Sequence, residues 1–170
     1  SQGEACFEVL VLQPQSSAWL EFDNSANRGL EERFQAFMGL TTALETAHVP
    51  FDYGDERILR RYGSAGGGIL RVGRCDYRAV LVPPVLTLAS STVSLLRDFA
   101  ASGGLLIWCG GGCPALLEGE ENPAALAGLE GCGRAGATAA EAVAALPPAL
   151  RRVRLHTTPA AAGDAIAVTE

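Results

Sequence analysis

Three stretches of this chain are apolar at every position and then stop: VLVL at residues 9–12, AVLV at 79–82 and LLIW at 105–108. A strand with one wet face alternates apolar and polar residues. Unbroken runs therefore predict strands buried on both faces, as in a parallel sheet covered by helices. The first run belongs to a predicted strand over residues 6–13, halted by Pro14; the second to one over 77–82, closed by Pro83-Pro84. Between the runs the apolar period becomes helical. Leu30, Phe34, Phe37, Leu40 and Leu44 predict a helix over 30–49, with Glu31 and Glu32 in the first turn, where the helix dipole favours acids. Val93, Leu95, Leu96 and Phe99 predict a second long helix, opened by Leu88-Ala89-Ser90-Ser91 and ended by Gly103-Gly104.

Weaker signals fill the gaps. Pro50 ends the first helix, and VPFDYGDE reads as a short strand running into a loop, where Asp55 can cap a short helix through Arg61. QPQSSAWLEFDNSANRG reads as a polar loop, GSAGGG as a flexible turn and 69–72 as a minor strand. Residues 114–137 give only short turns and loops; an alanine-rich helix over 138–146 stops at Pro147-Pro148, and 153–156 is the last strand. Strands alternating with helices in this way predict an α/β fold: a three-layer, doubly wound, mostly parallel five-stranded sheet of flavodoxin-like type. The 170 residues make one domain, large enough to bury a core unaided. The tail GDAIAVTE starts another β-like run, which leads us to expect a domain cut from a longer chain.

Composition narrows the chemistry. A net charge of −6 leaves no basic stripe for phosphates, so nucleic acid is not an expected partner. All thirteen basic residues are arginine, which excludes Schiff-base and P-loop lysines. The five cysteines (Cys6, Cys75, Cys109, Cys113, Cys132) are odd in number and irregular in spacing, unlike a secreted disulfide framework; they lean towards a cytoplasmic setting and leave localisation open. His48 and His156 are not spaced for zinc, so no metal is expected. No apolar run approaches the roughly 20 residues of a membrane span. The glycine runs lack phosphate-loop spacing, and Pro14 removes a backbone donor after the first strand, so no nucleotide or flavin cofactor is expected.

The run YRAVLVPPVLTLASSTVSLLRDFAASGGLLIW resembles the glutamine-amidotransferase-like domain that follows the catalytic barrel in several bacterial glycoside hydrolases, called the trimerisation domain in the β-galactosidase branch. VLVLQPQSSAW and HVPFDYGDERIL look more like the α-L-rhamnosidase-type enzymes. The resemblance covers residues 7 to 112, with a weaker echo over 150 to 168. It implies a class I glutamine amidotransferase-like accessory domain of a carbohydrate-metabolism enzyme, itself non-catalytic. Its partners would be the catalytic domain of the same polypeptide, a second copy in a homo-oligomer, or carbohydrate.

Two sets of residues then stand out. Cys109 falls where amidotransferases keep a nucleophilic thiol on a sharp strand-to-helix turn, with His156 as the available base; this is the alternative reading, a small thiol enzyme. The chain departs from that pattern, having His156-Thr157-Thr158 in place of His-x-Glu and Gly110 where intracellular-protease-like proteins carry histidine. The second set lies in loops expected beyond the carboxyl ends of the strands, where open α/β sheets bind ligands. Trp19, with Ser16 and Ser17, can stack on a sugar or cover a neighbouring barrel; Asp52 and Asp55 can accept sugar hydroxyls, although capping also explains Asp55.

Overall fold

A computed structural model describes residues 7–22, 28–110 and 113–151. The first half of the chain forms β1 (Val9–Leu12), α1 (Gln15–Glu21), α2 (Arg28–Thr46), β2 (Asp52–Gly54) and α3 (Glu56–Tyr62). A hairpin-like excursion follows, β3 (Gly63–Gly66), β4 (Ile69–Val72) and β5 (Cys75–Tyr77), before β6 (Ala79–Val82). The second half adds β7 (Thr87–Leu88), α4 (Ser90–Ala101), β8 (Leu105–Cys109), β9 (Leu116–Leu117), α5 (Pro123–Leu126), β10 (Arg134–Gly136) and α6 (Ala139–Ala144).

Five of these strands form one parallel sheet in the order β10-β8-β6-β1-β2, with Val9 opposite Ala79 and Leu81 opposite Ile107. Numbered by appearance in the chain, its strands run 2-1-3-4-5 across the sheet. Pleating explains why the central runs are apolar throughout, because successive side chains point to opposite faces. Val9, Val11, Leu81, Ile107 and Cys109 face α2 and α6, meeting Leu40, Leu44, Ala142 and Val143. Leu10, Leu12, Val80, Val82 and Trp108 face α3, α4 and the small sheet, meeting Leu59, Leu96, Phe99 and Tyr77. The sheet is thus covered by helices on both faces.

Two local devices shape this frame. At the end of α4, Gly104 N–H donates to Phe99 O (2.9 Å) and Gly103 N–H to Ala100 O (3.0 Å), with Gly103 at φ 97°, a Schellman ending. A Cβ on Gly104 would stand 2.1 Å from the Phe99 ring, so only glycine lets β8 start this close to the helix. Thr138 caps α6 through a full capping box with Glu141, and Asp55 Oδ1 caps α3, accepting from Arg57 N (2.8 Å) and Ile58 N (3.1 Å).

The structure corrects several expectations. The stretch predicted as a polar loop after β1 contains the helix α1. It has no side-chain cap and is held by distant hydrogen bonds, which local pattern cannot report. GSAGGG is not a free turn: Gly63–Gly66 is β3, paired antiparallel with β4 across the two-residue turn Gly67-Gly68, both at positive φ. The predicted strand over 77–82 divides into β5, which belongs to the separate sheet β3-β4-β5, and β6, which belongs to the main sheet. The fifth parallel strand is β10, inside the stretch read as turns and loops. Residues 153–156, expected to supply it, lie outside the described residues.

Candidate functional site

All five strands of the main sheet point the same way, so their carboxyl ends share one edge. The order of strands reverses between β1 and β6, where successive connections leave for opposite faces and a crevice opens in sheets of this kind. Here α1 bridges that point. It follows β1 after two residues, and the buried Ser17 hydroxyl ties it to the segment after β6, accepting from Leu86 N (2.8 Å) and Thr87 N (3.1 Å) and donating to Thr87 O (3.2 Å). Ser16 donates to Glu56 Oε1 (2.5 Å), and Glu56 Oε2 accepts from Ala89 N (2.8 Å), the residue that precedes α4. At its far end Glu21 accepts from Arg33 Nε (2.7 Å) on α2. The two serines picked from the sequence are therefore brought together as tethers of α1.

Trp19 stands one turn further along α1 and is 75% exposed. It lines a cleft of about 390 Å³ with Leu20, Thr87, Leu88, Glu118 and Gly119. Glu118 reaches this wall from the turn after β9 with its backbone in the left-handed region (φ 53°). Its Oε1 accepts from Ser90 N (3.2 Å) and Ser90 Oγ (2.8 Å). Those two bonds from Ser90 hold the Glu118 carboxyl below the usual carboxylate range. Sequence reading missed Glu118 because its partner is 28 residues away. Glu56 lay in a run already noted, but nothing local marked it as buried.

Asp52 and Asp55 are both engaged inside the fold, Asp55 as the helix cap the sequence allows for it. The Tyr77 hydroxyl donates to Asp52 Oδ2 (2.9 Å), tying the edge strand β2 to β5; burial, helped by that bond, pushes the phenol above its ordinary range. Asp55 is occupied as the cap of α3. Neither lines the Trp19 cleft.

Cys109 ends β8 on the side that faces α2 and α6. It is 3% exposed, its Sγ lies 3.8 Å from Ile107 O, and burial pushes the thiol up to about 12. His156 lies outside the described residues, as do Gly111 and Gly112. Among the described residues no group of three or more His, Cys, Asp or Glu could hold a metal ion, and no helix is long and apolar enough to cross a membrane.

The exposed apolar side chains are concentrated in one part of the chain. All eight exposed large hydrophobic side chains among the described residues fall between Trp19 and Tyr62. Phe34 and Met38 sit one turn apart on α2, Ile58 and Tyr62 one turn apart on α3, and Tyr53 lies on the edge strand β2 between those elements in the chain. Phe37 and Phe51 hold the Tyr53 ring, with centroids 5.8 and 5.3 Å away. Arg57, Arg60 and Arg61 stand around Ile58 and Tyr62 on α3, the Arg61 guanidinium 5.2 Å from the Tyr62 ring centroid.

No family model, curated protein or solved structure matches this chain.

Proposed function

We propose that this is a non-catalytic interaction domain of flavodoxin-like, class I glutamine amidotransferase-like fold, belonging to a multidomain glycoside hydrolase and packing against the catalytic domain of the same polypeptide. The 2-1-3-4-5 strand order supports the fold assignment. The sequence resemblance over residues 7 to 112 supports the parent enzyme class. What carries the interaction role is the exposed apolar strip formed by Phe34 and Met38 on α2 and Tyr53 on the edge strand β2, joined through Phe37, since a monomer surface seldom leaves such a contiguous patch in water. The tilted contact of Phe37 and the edge-on contact of Phe51 with Tyr53 pre-organise that anchor, which lowers the ordering cost of docking. The rival reading, thiol catalysis at Cys109, has against it a sulfur closed in the core and a thiol held in its protonated form.

Phe34→Glu and Met38→Glu test the proposal. Both side chains are exposed, so stability should change by no more than about 0.5 kcal/mol. Association with the rest of the parent polypeptide supplied in trans should weaken roughly ten-fold or more, as measured by sedimentation velocity. The chain alone should turn over no aryl glycoside. Turnover by the chain alone, or association indifferent to both substitutions, contradicts the reading.

A further inference from the structure

We propose that the cleft between α1 and the turn after β9 binds a pyranose sugar, the C–H face of the ring stacked on the Trp19 indole and neighbouring hydroxyls donating to Glu118 Oε2. The inference rests on this cleft's own chemistry and does not need the docking face of the proposed function.

Four observations lead there. First, a tryptophan with three quarters of its surface in water is an unusual use of a large apolar side chain, and this one stands in a concavity at the edge where parallel sheets place ligands. The cleft, about 390 Å³, has the size of a small-ligand site. Second, the wall is mostly apolar, its Ser16 and Thr87 hydroxyls are already bonded to Glu56 and Gly119 N, and it carries a carboxylate whose Oε1 is engaged by Ser90, while no hydrogen bond to Oε2 exists among the described residues. A flat apolar platform with a directional acceptor at its rim matches a ring that carries C–H groups on its faces and hydroxyls around its edge.

Third, both walls are fixed before any ligand arrives. Ser16 and Ser17 tether α1, while Gly119 N–H donates to Thr87 Oγ1 (2.9 Å) and Glu118 N–H to Leu88 O (2.9 Å), so little ordering remains to be lost on binding. Fourth, the charge and the number of rings decide against other ligands. The ionised Glu118, in a chain of net charge −6, repels anions. A quaternary ammonium is recognised by a cage of several aromatic faces, and this cleft has one.

The experiment is saturation-transfer NMR on the intact chain with a panel of methyl pyranosides, with sorbitol as an open-chain polyol and tetramethylammonium chloride as a cation. At least one pyranoside should bind saturably with a dissociation constant on the order of 1–10 mM. Transfer should be strongest to the C–H protons of one ring face. Trp19→Ala should abolish it without unfolding the chain, because the side chain is exposed and the emission of buried Trp108 then reports the fold. Glu118→Gln, which keeps an acceptor for Ser90, should weaken binding roughly five- to ten-fold. Met38→Glu should leave it unchanged, which separates this site from the docking face. The proposal is overturned if no pyranoside saturates up to about 100 mM, if sorbitol responds equally, if tetramethylammonium is the ligand that saturates, or if Trp19→Ala binds like the parent chain.

Discussion

Replacing Phe99 with alanine is expected to lower the unfolding free energy by about 4 kcal/mol, which for a chain of this length moves the melting temperature down by roughly 10 °C. The ring is wholly buried between α4 and the sheet, in the layer that also holds Leu96, Val80 and Leu106. Loss of apolar area and the cavity left behind act together there. The neighbouring Gly104 makes the prediction sharper. Gly104→Ala alone pushes a methyl to 2.1 Å from the same ring and should cost about 2 kcal/mol through overpacking. In the double variant the methyl enters space the ring has vacated, so the combined loss should fall short of the sum by about 1 kcal/mol or more. Urea unfolding of the four proteins measures this coupling. Simple additivity contradicts the close approach that seats β8 against α4.

The second large effect is expected at Glu56. Glu56→Ala should cost about 2–3 kcal/mol, because it strips partners from two groups at once, the Ser16 hydroxyl and the Ala89 amide, in a place almost closed to water. The loss should be concentrated in α1, which has no side-chain cap of its own. Amide hydrogen exchange over residues 15–21 should rise far more than over β1, β6 or β8. Glu56→Gln supplies an acceptor for Ala89 and a donor for Ser16 Oγ, and should stay within about 1 kcal/mol of the parent chain. If alanine and glutamine behave alike, Glu56 is not the strut that fixes α1, and the helix is held by Ser17 and the Glu21–Arg33 pair.

How much of this was readable in advance depends on whether the determinant is local. β1, β6 and β8 announce themselves because burial on both faces demands an apolar residue at every position. The cap at Asp55 is readable because donor and acceptor are two and three residues apart. β10 is not: Arg134 and Ala135 are exposed at the sheet's edge, only Gly136 is buried, and pairing with β8 makes the strand where side-chain propensity does not. β3, built from Gly63-Ser64-Ala65-Gly66, is hidden for the same reason. α1 hides because its stability comes from bonds spanning 40 and 70 residues.

The candidate site divides along the same line. Trp19 was visible as an aromatic residue in a polar segment at the right edge of the sheet. Glu118, which completes the cleft, was not, since nothing near it in sequence hints at Ser90. Cys109 shows the opposite error that sequence invites. Its position at a strand end before glycines suggests an exposed nucleophile, yet the pleat gives it the parity of Ile107 and turns the sulfur towards α2 and α6.

That parity is where the central claim, a domain that works through its surface and not through a thiol, meets its most direct measurement. Iodoacetamide alkylation of the native chain, followed residue by residue by mass spectrometry across pH, compares buried Cys109 with partly exposed Cys132 in one sample. The account predicts that Cys109 reacts more slowly than Cys132 near neutrality and gains rate only as pH climbs towards about 12. Rapid alkylation of Cys109 at neutral pH, with an apparent pKa below the roughly 8.5 of a free thiol, would contradict it.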